Sequence, residues 1–94
     1  MAQQQKPFIA GNWKMNKTIP EAVETVRRLR EVLPGLEGAR LVVIPPFTAL
    51  SEVRKAIEGS PVELGAQDVF WEEKGAYTGE VSPLMLKDAG CAYV

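Results

Sequence analysis

Leu41-Val42-Val43-Ile44 constrains this chain more than any other stretch. It is an unbroken β-branched and aliphatic run with no polar alternation, the pattern of a strand covered on both faces. Pro45-Pro46 stops it, because proline cannot continue a central strand. On either side of this run, strand-like and helix-like segments alternate along the chain. Such alternation implies an α/β fold with parallel strands and right-handed crossovers.

The elements follow in order. Phe8 to Asn16 begins as an apolar strand and ends in polar residues. Alternation puts Phe8, Ala10, Asn12 and Lys14 on one side, with Ile9, Gly11 and Trp13 on the other. Thr18-Ile19-Pro20-Glu21 fits a capping box with proline in the first turn. Ala22, Val26, Leu29 and Leu33 then make one apolar helical stripe that Pro34-Gly35 ends. After the strand Arg40 to Ile44, Thr48 is expected to cap a second helix running through Glu58. Its apolar face is Leu50, Val53, Ala56 and Ile57, and Gly59 suits its C-cap. Val62 to Gln67 is expected as a third strand, with Val62, Leu64 and Ala66 opposite Glu63, Gly65 and Gln67. A long polar and aromatic loop, Asp68 to Val81, precedes Ser82-Pro83, which opens a third helix from Leu84 to Ala89 closed by Gly90. Cys91 to Val94 starts a fourth strand. The expected order is βαβαβαβ, with both sheet edges open and the chain cut rather than finished.

The totals narrow the function classes. The 94 residues suffice for one small domain, and 46% hydrophobic with 24% charged residues is ordinary for a globular protein. The net charge of −1 is spread along the chain, so no basic patch points to nucleic acid or to an anionic membrane. No apolar run approaches the ~20 residues of a membrane span. Met1 to Gln5 reads as a short polar tail without the regions of a signal peptide. The lone Cys91 excludes an internal disulfide framework, which fits a reducing compartment. There is no histidine, so a mechanism that needs an imidazole cannot be completed by these residues.

Chemistry concentrates at two places. Asn12 and Lys14 put an amide and an ammonium at the carboxyl end of a strand, where α/β folds hold their ligands. They are either polar residues meeting water at a strand end or a site for an anion or carbonyl, and composition alone does not decide. Tyr77-Thr78-Gly79-Glu80 is either a solvent turn or, with Phe70 and Trp71 beside it, part of a surface that a partner covers. Cys91 reads as a small buried strand residue, since a nucleophilic role would want a histidine. Glu72-Glu73 reads as solvated loop, because neighbouring positions point apart. No dinucleotide fingerprint follows a strand, and no metal-ligand spacing is present.

Gly11-Asn12-Trp13-Lys14-Met15-Asn16 resembles the first-strand signature of the triosephosphate isomerase family. Pro45-Pro46-Phe47-Thr48 is similar to that family's second loop. Gly65-Ala66-Gln67-Asp68 and Gly75-Ala76-Tyr77-Thr78-Gly79-Glu80-Val81-Ser82 resemble its third strand and third loop. The likeness runs from Lys6 to Val94. It implies a (β/α)8 TIM barrel, ~250 residues when whole, of which residues 6–94 would be the amino-terminal part: three βα units plus a fourth strand. It also implies interconversion of dihydroxyacetone phosphate and glyceraldehyde 3-phosphate, without a cofactor, in glycolysis and gluconeogenesis in the cytoplasm. Under the resemblance Lys14 is the catalytic electrostatic group, and Asn12, Trp13 and Lys14 bind substrate, Trp13 through its backbone. Met15, Phe47, Gln67, Tyr77, Thr78, Gly79 and Glu80 match a homodimer interface, with Thr78 and Glu80 at the tip of a loop that enters the neighbouring subunit. The family's proton-moving His and Glu have no counterpart here and would lie beyond Val94.

Two other readings are set against this one. The chain as given is a non-catalytic structural or assembly module, inactive alone, self-associating or loosely packed through its open edges. A flavodoxin-like binding domain shares the βαβ order, but residues 12–16 lack its phosphate-binding hydroxyls and glycines.

Overall fold

The computed structural model describes residues 6–94, so the expected polar tail of Met1 to Gln5 lies outside the described residues. Three strands, β1 (Phe8–Asn12), β2 (Arg40–Ile44) and β3 (Glu63–Leu64), form one sheet in the order β1-β2-β3. Both pairings are parallel, with Phe8 opposite Arg40, Asn12 opposite Ile44 and Val43 opposite Leu64. Between and after them lie α1 (Ile19–Val32), α2 (Leu50–Ile57) and α3 (Pro83–Asp88).

The helices share one side of the sheet. Leu41 and Val43 of β2 join Val62, Leu64 and Ala66 in a buried cluster with Ala22 and Val26 of α1, Leu50, Val53 and Ile57 of α2 and Leu86 of α3. These strand residues are the alternate set that the pleat sends to one face. Val42, on the other face of β2, is also buried at 2% exposure, so the aliphatic run is covered on both sides as its composition requires.

The N-terminal caps of α1 and α3 follow the sequence. The Glu21 carboxylate accepts from the Thr18 backbone N–H at 2.8 Å and from Thr18 Oγ1 at 2.9 Å. Ser82 Oγ accepts from Met85 N at 3.1 Å, and Pro83 occupies the first position of α3.

Four boundaries differ from expectation. β1 stops at Asn12, because Asn12 Oδ1 captures the Lys14 N–H at 2.9 Å and Lys14 turns to φ 55°. Thr48 does not cap α2; it sits inside a 3-10 turn, Phe47–Ala49, and Ala49 precedes the helix. Pro46 sets up that turn, with Ala49 N donating to Pro46 O at 3.0 Å. β3 is two residues rather than six, although its ladder continues through Gly65 N to Val43 O at 2.9 Å. Cys91 to Val94 makes a single parallel bridge, Gly65 to Tyr93, rather than a full strand. That bridge is held by Ala66 N on Tyr93 O at 2.9 Å and Ala92 N on Leu64 O at 2.8 Å. Gly65 suits the close packing on β2 there: a Cβ would stand 3.0 Å from Ile44 Cγ1 and 3.3 Å from Val42 Cγ1.

At the amino end of the helix-free face, Arg40 Nη2 donates to Glu63 Oε1 at 3.0 Å and also to the Tyr93 hydroxyl. The Tyr93 hydroxyl donates to Glu63 at 3.1 Å, and its ring meets Phe8 edge-on at 5.4 Å. β1 is an edge strand exposed along its length, with Phe8 52% exposed.

Candidate active site

The carboxyl ends of β1 and β2 and the segment after β3 converge on one loop, residues 13–17. Trp13 N donates to Ile44 O at 3.0 Å, carrying the β1–β2 ladder one step past the strand. Gln67 Nε2 donates both to that carbonyl, at 3.0 Å, and to Lys14 O, at 2.8 Å. Asn16 Nδ2 donates to Trp13 O at 2.8 Å. The Trp13 ring packs against the core from the helix side, and Lys17 Nζ lies 5.9 Å from its centre.

Lys14 therefore does not join Asn12 by strand alternation, as the sequence suggested. A local turn brings the two together. The oxygen of Asn12 is committed to the Lys14 N–H, which leaves its NH₂ group as the donor able to face a ligand. Lys14 is exposed and takes part in none of the ion pairs among the described residues. An ammonium and an amide donor held at the ends of parallel strands suit a developing oxyanion or a phosphate. No histidine stands beside them to move a proton.

The residues matched to an interface are exposed on the surface. Met15 is 95% exposed, and Phe47 lies at the first position of the turn after β2. In the loop 68–81, Phe70 N donates to Val81 O at 2.8 Å and closes the base. Tyr77 stacks on Phe70 at 4.4 Å and lies against Gly75, where a Cβ would meet its ring at 2.6 Å. Glu80 N donates to Tyr77 O at 3.0 Å, so Tyr77, Thr78, Gly79 and Glu80 make a tight turn at the tip, with Gly79 at φ 88°. Trp71 stands 79% exposed beside it.

Cys91 is half-buried, and that burial pushes its thiol above the usual range, away from a nucleophilic thiolate. A groove of about 770 Å³ lies at the opposite, amino end of the strands, lined by Arg54, Glu58, Ser60, Asp88 and Gly90. Arg54 Nη1 there donates to Asp88 O at 2.8 Å, tying α2 to α3. Asn16, and the link from Gln67 to Lys14, went unread in the sequence. Alternation had put Gln67 opposite the buried Ala66, but its partner is 53 residues away.

The order β1-β2-β3, carried on by the Tyr93 segment bridged to Gly65, is consecutive over four segments with the described helices on one side; that fits the (β/α)-barrel class, since a doubly wound sheet of order 3-2-1-4-5-6 would put the fourth segment beside β1. Comparison with known proteins narrows the class. The family model for triosephosphate isomerase matches residues 7–94. A triosephosphate isomerase of Thermoanaerobacter pseudethanolicus is 58% identical over 91 residues, 95% of this chain and 36% of that protein. One from Pelobacter propionicus is 54% identical over 88 residues, 94% of this chain and 35% of that protein. The crystal structure of triosephosphate isomerase from Bartonella henselae superposes with a TM-score of 0.82 at 36% identity, covering 94% of this chain and 36% of that one. The chain belongs to the triosephosphate isomerase family, and it spans little more than a third of the length of the curated relatives it matches.

Proposed function

We propose that residues 6–94 are the amino-terminal part of one barrel domain whose reaction is the interconversion of dihydroxyacetone phosphate and glyceraldehyde 3-phosphate. Proton transfer through an enediol(ate) would need no cofactor. The carrying observation is Lys14, held in a left-handed turn beside Asn12 at the carboxyl ends of the strands. In this role Lys14 offsets the charge of the phosphate and of the developing enolate, and Asn12 orients the substrate from the same turn. The backbone of Trp13 lies between them. The groups that move the protons are not among these residues, so the 94-residue chain alone is inactive.

The homodimer reading rests on the same family likeness. The exposed Met15, Phe47 and Trp71 and the turn Tyr77-Thr78-Gly79-Glu80 support it, because aromatic and methionine side chains are enriched where protein surfaces meet. Gln67 belongs to this group by likeness, and its side-chain amide bonds within the chain. A glycolytic, cytoplasmic setting follows from the same proposal. No helix among the described residues is long and apolar enough to cross a membrane.

The test is a chimaeric barrel in which residues 7–94 replace the matching third of the Thermoanaerobacter pseudethanolicus relative. The chimaera is expected to isomerise both trioses in coupled assays. Lys14→Ala is expected to lower kcat/KM by about 10²- to 10³-fold. A folded chimaera without turnover, or one indifferent to Lys14→Ala, would overturn the reading. Turnover by the purified 94-residue chain would overturn its inactivity.

A further inference from the structure

We infer that Gln67 is a positioning residue for Lys14, a role that rests on the reading of Lys14 as the group that meets substrate charge. Lys14 has φ 55°, a conformation disfavoured for any residue with a Cβ, so something must hold it. Three amide side chains do so. Asn12 Oδ1 accepts from Lys14 N at 2.9 Å, and Asn16 Nδ2 donates to Trp13 O at 2.8 Å, which together fix the peptide group before Lys14. Gln67 Nε2 donates to Lys14 O at 2.8 Å and fixes the peptide group after it.

Gln67 differs from the other two in its reach. Asn12 and Asn16 lie within two residues of Lys14 and move with the loop. Gln67 is 53 residues away, and its second N–H holds Ile44 O at 3.0 Å, the carbonyl that also receives Trp13 N. One NH₂ group therefore ties the carbonyl after the lysine to the end of β2. A flipped amide would set its oxygen against two carbonyl oxygens, so only this orientation satisfies the site. Gln67 is exposed, so core packing does not account for the arrangement.

Gln67→Glu keeps the shape and removes both donors. Gln67→Asn is one methylene shorter and reaches at most one carbonyl. In the 94-residue chain, trypsin cleavage after Lys14 is followed by mass spectrometry, with cleavage after Lys74 in the distant loop as the reference for general loosening. Gln67→Glu is expected to speed cleavage after Lys14 on the order of tenfold, since the hydrogen bonds to Lys14 O and Ile44 O are lost beside that peptide, and to leave Lys74 unchanged. In the chimaeric barrel, Gln67→Glu is expected to lower kcat/KM by about 10- to 100-fold, with Gln67→Asn between it and the parent. Cleavage after Lys14 that rises no faster than after Lys74, or a Gln67→Glu chimaera with parental kcat/KM, would overturn the proposal. If the parent chimaera has no turnover, the isomerase reading fails, and the cleavage ratio alone decides whether Gln67 holds Lys14.

Discussion

Replacing Gly65 by alanine adds one methyl where β2, β3 and the Tyr93 segment meet. Gly65 does not adopt a left-handed conformation, so the backbone accepts an L side chain. Relief of unfolded-chain entropy would then stabilise the chain by about 0.4–1 kcal/mol. The methyl would sit 3.0 Å from Ile44 Cγ1, 3.3 Å from Val42 Cγ1 and 3.5 Å from Tyr93 Cβ. Ile44 is only half-buried and can turn aside. Val42 is 2% exposed and β-branched, so it has one comfortable rotamer and nowhere to go. Overpacking of this kind costs about 1–3 kcal/mol, and the net expectation is a loss of about 1 kcal/mol. With a urea slope of about 1–2 kcal/mol per molar for a chain this small, the midpoint should fall by roughly 0.5–1 M. The assay is urea unfolding followed by circular dichroism at fixed protein concentration, with the slope compared between variants. A midpoint that rises would show that Val42 and Ile44 yield freely, and the argument from close contact would be wrong.

Three further outcomes follow from single contacts. Glu24 is held down to about 2 by hydrogen bonds from Arg27 and then Arg28, and Glu21 is lowered by the Thr18 backbone N–H. Both depressions favour the folded chain above the free carboxylate range, and that gain is lost as pH falls from about 4.3 toward the folded values. Helical dichroism should therefore decline across that interval, and Glu24→Gln should flatten part of the decline; an unchanged profile would refute the pairing. Ser82→Ala removes the oxygen that accepts from Met85 N, at a cost of about 1 kcal/mol, and should fray α3 enough to speed thiol labelling of Cys91. Equal labelling rates would count against it. Tyr93→Phe keeps the ring on Phe8 but removes the hydroxyl between Arg40 and Glu63. It should raise hydrogen exchange at the Ala66 and Ala92 amides, which hold the last segment, and unaltered exchange there would mean the backbone bonds suffice alone.

Local rules were legible where the signal was local. The capping box at Thr18, the Ser82-Pro83 start of α3, the stripe of Ala22 and Val26 and the run Leu41 to Val43 all depend on spacings of a few residues, and all stand in the structure. The helix-facing set Val62, Leu64 and Ala66 was equally readable, because a pleat alternates whatever it pairs with. Thr48 failed because a prolyl turn before α2 took the position a cap would need. The face of Lys14 failed because one side-chain oxygen, that of Asn12, ended the strand two residues early.

By itself, then, the sequence determined a parallel α/β chain, the starts of α1 and α3, its family and the presence of an amide and an ammonium at one strand end. Only the tertiary structure decided how they meet. The left-handed turn at Lys14 is joined by Gln67, 53 residues along the chain, and the bridge from Gly65 to Tyr93 depends on how closely three segments approach. Periodicity reports which face a residue takes within its own element. It carries no information about which distant carbonyl a side chain will find, because that is set by packing between elements.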